Sequence, residues 1–226
     1  MTEQKSQFLR NAWYATIWST DLVKSTPVAK TILNEQVVLF RIKDGSPVAL
    51  KDKCCHRGAP LSLGTCLENT IQCGYHGLQY DANGQCVVVP GQTHIPPGAS
   101  VKAYPLAERW NMVWIWMGDP SVADKTKIPN YFWLDDPKWV AATGYIHMKG
   151  NYQLLIDNLL DFTHVTYLHK NTISADPAEA AIPVEVERDE NTVSVSRWIY
   201  GFEAPPLFAK AGKFKGKVDR WQTTKW

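Results

Sequence analysis

Hydrophobic and polar positions change their period along this chain, and the change divides it in two. Up to about residue 120 the apolar residues come in short runs separated by turn signals. Val28–Leu33 and Gln36–Ile42 flank Asn34-Glu35, and Asp44-Gly45 precedes Val48–Lys51. Leu78–Asp81 and Gln85–Val89 flank Asn83-Gly84, a strong hairpin dipeptide, and Asn111–Met117 is closed by Gly118-Asp119-Pro120. Short strands at this spacing predict a small antiparallel sandwich or barrel. Residues 121–137 are polar, hold two prolines, and read as a linker or boundary. Beyond them, Leu154, Leu155, Leu159 and Phe162 recur at helical spacing, which predicts an amphipathic helix over 151–169. Thr192–Tyr200 reads as a strand again. The expectation is an α+β chain of two domains, all-β over 1–125 and α+β over 126–226.

Composition narrows the class. A formal charge of +2 over 226 residues gives no reason to expect nucleic acid or an anionic membrane as partner. The first ten residues lack the apolar core of a signal peptide, and no window reaches the roughly 18 apolar residues of a membrane span. The chain is therefore expected to be soluble and cytoplasmic. In that compartment five cysteines point to metal ligands or buried thiols rather than disulfides.

Two of those cysteines sit in paired motifs. Cys54-Cys55-His56-Arg57-Gly58 is followed by Cys73-Gly74-Tyr75-His76-Gly77, with sixteen residues between His56 and Cys73. Each loop offers one thiolate and one imidazole, the set that a Rieske-type [2Fe–2S] cluster needs: two thiolates on one iron, two neutral imidazoles on the other. Zinc also takes two Cys and two His, but its sites favour a Cys pair followed by a His pair, and a single residue between Cys54 and His56 is tight for a zinc knuckle. Further on, Asp157, Asp161 and His164 fall at i, i+4 and i+7, one stripe of a helix. His169 lies about 140° further round, so a metal held by both imidazoles requires the helix to distort or end between them. Two His and a carboxylate make the facial site of Fe(II) oxygenases. Taken alone, this spacing also describes a solvated helix face.

Together these motifs resemble the Rieske non-haem iron oxygenases, most closely the group of vanillate O-demethylase and dicamba monooxygenase. Cys54, His56, Cys73 and His76 match the family's ligand pattern, and His56 through Leu61, Tyr75-His76-Gly77 and Asp81 through Gly84 match its surroundings. Cys55 and Gly74 stand where the family usually has proline, which implies altered loop stiffness. Ala59 and Tyr75 occupy the positions of the disulfide of respiratory Rieske proteins, so the lower-potential oxygenase or ferredoxin subtype is implied, with Cys55, Cys66 and Cys86 as free thiols.

The resemblance implies a Rieske domain followed by part of a helix-grip-like catalytic domain. It implies that His164 and His169 ligate a mononuclear Fe(II), and that Asp161 bridges His164 to His76 of a neighbouring subunit. It also implies an NAD(P)H-dependent flavin/iron–sulfur reductase as partner, O₂ and a small aromatic compound as substrates, O-demethylation or hydroxylation as reaction, and a homotrimer. The rival readings are a ring-hydroxylating dioxygenase and a Rieske ferredoxin. The family's third iron ligand lies much further along than Trp226, 57 residues after His169, so the sequence is expected to be part of a longer chain. The basic run Lys210, Lys213, Lys215, Lys217 and Arg220 reads as a solvated stretch or a dock for an acidic reductase, and Ala204–Phe208 as a possible pocket wall.

Overall fold

The computed structural model describes residues 8–174 and 176–226; most of the polar N-terminal stretch read from the sequence lies outside them. Two compact units follow one another, the first ending at Gly144 and the second beginning at Tyr145.

The first unit is built from ten strands: β1 (Ala12–Trp18), β2 (Val28–Ile32), β3 (Glu35–Arg41), β4 (Pro47–Lys51), β5 (Thr65–Cys66), β6 (Ile71–Gln72), β7 (Gln79–Tyr80), β8 (Cys86–Val88), β9 (Leu106–Arg109) and β10 (Met112–Met117). They form three antiparallel sheets, ordered β1-β10-β9, β2-β3-β4 and β5-β6-β7-β8. The sheet β2-β3-β4 is the shared wall. Because side chains alternate along a strand, β3 sends Val38 and Phe40 to one face and Val37 and Leu39 to the other, and all four are fully buried. Val38 and Phe40 pack with Cys54, Leu61, Cys73 and Tyr80, whereas Val37 and Leu39 pack with Leu22, Val113, Ile115 and Met117. A strand covered on both faces reads as an unbroken apolar run, which is how Val37 through Phe40 reads.

Residues 121–137 are not a free linker. They form short 3-10 turns at Pro120–Val122, Lys125–Lys127 and Phe132–Leu134, the first two capped by Asp119 and Asp124. Ile128 is buried with Ala107 and Trp114, and the Tyr131 ring stacks on Trp114. The polar residues that suggested a linker are serving as turn caps.

The second unit holds α1 (Tyr152–Leu160), α2 (Val165–Leu168) and β11 (Glu185–Arg188), then β12 (Val193–Glu203), α3 (Pro206–Gly212) and β13 (Lys217–Lys225). Its sheet is antiparallel in the order β11-β12-β13. The single helix expected over 151–169 is interrupted at Asp161, whose backbone is extended and whose carboxylate accepts hydrogen bonds from the Thr163 N–H and hydroxyl. That local bonding competes with helix propagation. Phe162 is buried as expected, but Leu154, Leu155 and Leu159 are exposed. Helix α3 carries signals that the spacing reading missed, Pro205 before it, Pro206 at its first position and Gly212 at its end; along β13 exposed and half-buried residues alternate strictly.

In the first unit Glu35 gathers Tyr104, Lys102 and Arg10 at 2.7, 3.0 and 2.5 Å. Partial burial pushes its carboxyl up, but these three donors outweigh it and hold the group at about 2 rather than 4.5. A depressed carboxyl stabilises the fold fully above its unfolded value, and loses that contribution as pH falls through the folded value. Glu35→Gln should therefore cost stability at neutral pH, by about 1 kcal/mol or less at so exposed a site. The gap between the two proteins in urea melts should close between pH 4.5 and about 2.

Candidate metal centres

Strand β4 delivers the chain to the first Cys–His loop, and Asp52 fixes where that loop starts. Asp52 is buried; Oδ1 accepts the Ser62 N–H at 2.7 Å and Oδ2 the Ser62 hydroxyl at 2.6 Å. This ties the near side of the loop to the turn at Leu61–Leu63.

The two loops then repeat one backbone pattern. In the first, the Cys54 N–H donates to Ala59 O at 2.8 Å and the Gly58 N–H donates to Cys54 O at 2.9 Å. In the second, the Cys73 N–H donates to Leu78 O at 2.8 Å and the Gly77 N–H donates to Cys73 O at 3.0 Å. Gly58 and Gly77 take the same place, with φ of +72° and +75°, a conformation that strains any residue bearing a Cβ. Each loop is a closed knuckle with a cysteine at its base and a histidine at its tip.

The knuckles sort the four expected ligands by depth. Cys54 and Cys73 are buried, 3% and 2% exposed, whereas His56 and His76 are exposed. The two imidazoles lie beside one another, with ring centroids 4.6 Å apart. The two thiols are also neighbours. Burial pushes the Cys73 thiol up; backbone bonds from Tyr75 and His76 pull it down, and the nearby Cys54 thiol raises it again. Two sulfurs inside and two imidazoles outside suit a binuclear cluster better than a single ion. Among the described residues no three His, Cys, Asp or Glu side chains are grouped so as to hold a single ion. Tyr80, fully buried, sets its hydroxyl 3.0 Å from Cys54 Sγ. Sequence reading missed this residue, although it lies three residues before the Asn83-Gly84 turn.

The second constellation lies in the second unit. His164 precedes α2 and His169 ends it, so the break at Asp161 frees the pair from the register of α1. Their rings come within 5.4 Å, centroid to centroid, and Nδ1 of His164 is buried with no hydrogen-bond partner among the described residues. Two adjacent imidazoles, one with an unused ring nitrogen, fit a borderline cation such as iron. The Asp161 carboxyl is held below its usual range by the Thr163 hydroxyl and N–H, with a smaller contribution from the charge of His164. It is therefore an anion beside the pair. Asp157 accepts the Asp161 N–H through its carbonyl and caps the end of α1.

A buried ionic network braces the same segment. Glu179 accepts from the Arg220 Nη2 at 2.6 Å and from the Ser174 hydroxyl at 3.0 Å, and its carbonyl accepts from Arg197 Nη1 at 2.8 Å. Arg220 Nη1 donates to Ile173 O, and the Arg197 guanidinium lies over the Phe162 ring. The network thus touches the chain just before His164 and just after His169. Arg220 is consequently not part of a solvated basic stretch. Glu179→Ala would leave the partly buried Arg220 guanidinium without its counter-ion while Arg197 keeps its main-chain bond, and should cost the second unit about 3 kcal/mol, read from the shift of its denaturant midpoint.

Residues 12–105 match the Rieske [2Fe-2S] domain family, and residues 148–226 match the vanillate O-demethylase oxygenase C-terminal domain. The chain is 44% identical over 97% of its length to the toluene-4-sulfonate monooxygenase system iron-sulfur subunit TsaM1 of Comamonas testosteroni, covering 64% of that protein. It is 37% identical over 95% of its length to a vanillate O-demethylase oxygenase subunit of a Pseudomonas species, covering 61%. The crystal structure of dicamba monooxygenase bound to dicamba superimposes with a TM-score of 0.87 at 37% identity, over 97% of this chain and 64% of that one. The chain therefore spans somewhat less than two thirds of the length of these relatives.

Proposed function

This chain belongs to the Rieske oxygenase components, joining a Rieske [2Fe–2S] domain to a vanillate O-demethylase oxygenase C-terminal domain, and from that premise we propose that it serves a monooxygenase acting on a small aromatic compound. The proposed division places the Rieske module in 1–125 and the start of the catalytic domain in 126–226. Cys54, Cys73, His56 and His76 hold the cluster; His164 and His169 hold a mononuclear Fe(II). When bound, the cluster supplies single electrons and the iron supplies O₂ activation for O-demethylation or hydroxylation. The observation that carries this reading is the His164–His169 pair with its free ring nitrogen, because a chain that only shuttled electrons would have no use for it.

The residues have separable tasks in this reading. Buried Cys54 and Cys73 keep water from the sulfurs, and exposed His56 and His76 form the edge through which electrons enter and leave. Asp161 stays ionised, its carboxylate held by Thr163 next to His164. It also links His164 to His76 of a neighbouring subunit in a head-to-tail homotrimer. The reducing partner is an NAD(P)H-dependent flavin/iron–sulfur reductase, and the location is cytoplasmic. No helix among the described residues is long and apolar enough to cross a membrane. The substrates named for its relatives support an aromatic compound: toluene-4-sulfonate, vanillate and dicamba.

His164→Ala in the complete oxygenase should remove the mononuclear iron and leave the cluster's visible spectrum intact. Asp161→Asn should leave both metals in place and slow product formation by about 10–100-fold. With a methoxylated aromatic acid as substrate, a phenol and formaldehyde are expected; a cis-diol would sink the monooxygenase reading.

A further inference from the structure

Proton counting around Tyr80 assigns a role to Cys55, a residue that no ligand pattern includes. The Tyr80 hydroxyl lies 3.0 Å from Cys54 Sγ and 3.2 Å from Cys55 Sγ, and it accepts the Cys55 N–H at 3.2 Å. A fully buried phenol keeps its proton at neutral pH. A hydroxyl has one proton to give and two lone pairs to fill. An iron-bound thiolate has no proton and can only accept. The Tyr80 proton is therefore committed to Cys54. The thiol of Cys55, facing the same oxygen, must then be the donor. Cys55 thus gives the Tyr80 oxygen both an N–H and an S–H. Donors on an oxygen polarise its own O–H and strengthen the bond that it makes in turn. Proline, which the family usually carries at this position, has neither donor.

We propose that Cys55 is a positioning residue for the cluster, its thiol strengthening the Tyr80 hydrogen bond to the Cys54 sulfur and so raising the cluster's reduction potential. The proposal rests on the reading of Cys54 as a cluster ligand. Its direction follows from charge: reduction adds negative charge to the cluster, and a stronger donor to a ligand sulfur favours the reduced state. Cys55 is itself exposed, so replacing its side chain disturbs no core packing, and every non-proline replacement keeps the N–H.

The test is spectroelectrochemical titration of the cluster-loaded full-length protein. Cys55→Ala should shift the potential to a more negative value, Tyr80→Phe should shift it further, and adding Cys55→Ala to Tyr80→Phe should add nothing. Cys55→Ser, which restores a donor, should recover the starting potential. An unchanged potential in Cys55→Ala, or the same shift with Tyr80 absent, overturns the proposal. Should Tyr80→Phe fail to hold the cluster, the Ala–Ser pair decides alone, and a serine that recovers nothing overturns it. Failure of the ligand reading looks different: Cys54→Ala would then keep the cluster's absorption.

Discussion

Both Cys–His loops depend on the same exchange of two backbone hydrogen bonds, from the cysteine N–H to the carbonyl five residues on, and from the glycine N–H back to the cysteine carbonyl. Without it, two short polar segments would have to carry buried sulfurs and unpaired amides together, at a cost of about 1–3 kcal/mol for each orphaned group. With it, every other feature of the first unit has a fixed reference. Cys54 and Cys73 can be packed against Val38, Phe40 and Leu61, while the loop tips leave the core after two or three residues and carry His56 and His76 outward. Strand β3 makes this possible from the other side. Its alternate residues fill a second core, so the wall behind the sulfurs is itself supported on both faces.

That asymmetry of depth decides what such a site can do. A pair of thiols in a core is shielded from solvent, and a pair of imidazoles at the surface is accessible to a partner. An electron can therefore reach the exposed edge without water reaching the sulfurs. The second His pair is arranged on a different principle. It is held by a helix break: Asp161 turns its carboxylate onto Thr163 and thereby ends α1, and a single short turn then separates the two imidazoles.

The two centres differ in how far they could be read from sequence for the same reason. The first is local, with each Cys–His pair confined to one loop and glycines marking the turns, so residue types and spacing were enough to single out Cys54, His56, Cys73 and His76 as the proposed ligands. The second was legible in its residues but not in its shape. Helical spacing suggested one continuous helix with a leucine stripe, yet the side-chain bonds of Asp161 outcompete the helix, and Leu154, Leu155 and Leu159 are exposed. Tyr80 was not found because its function lies in a contact across 26 residues of sequence. Arg220 was misread because its charge sits among lysines in the sequence but opposite Glu179 in space.

Glu179 shows why such long-range polar groups are retained. A guanidinium paired with a buried carboxylate is a poor way to gain stability, since apolar residues of equal volume commonly do as well or better. What apolar packing lacks is direction. Arg220 reaches the carbonyl of Ile173, Ser174 reaches Glu179, and three N–H groups of the turn, from Thr172, Ile173 and Ser174, converge on the carbonyl of His169. A ring whose backbone is held by so many directional bonds has little freedom to drift, whereas one resting on leucines could slide by a fraction of an ångström at small cost. Two imidazoles proposed to share one ion need that placement, and the loss of stability is offset by the gain in it.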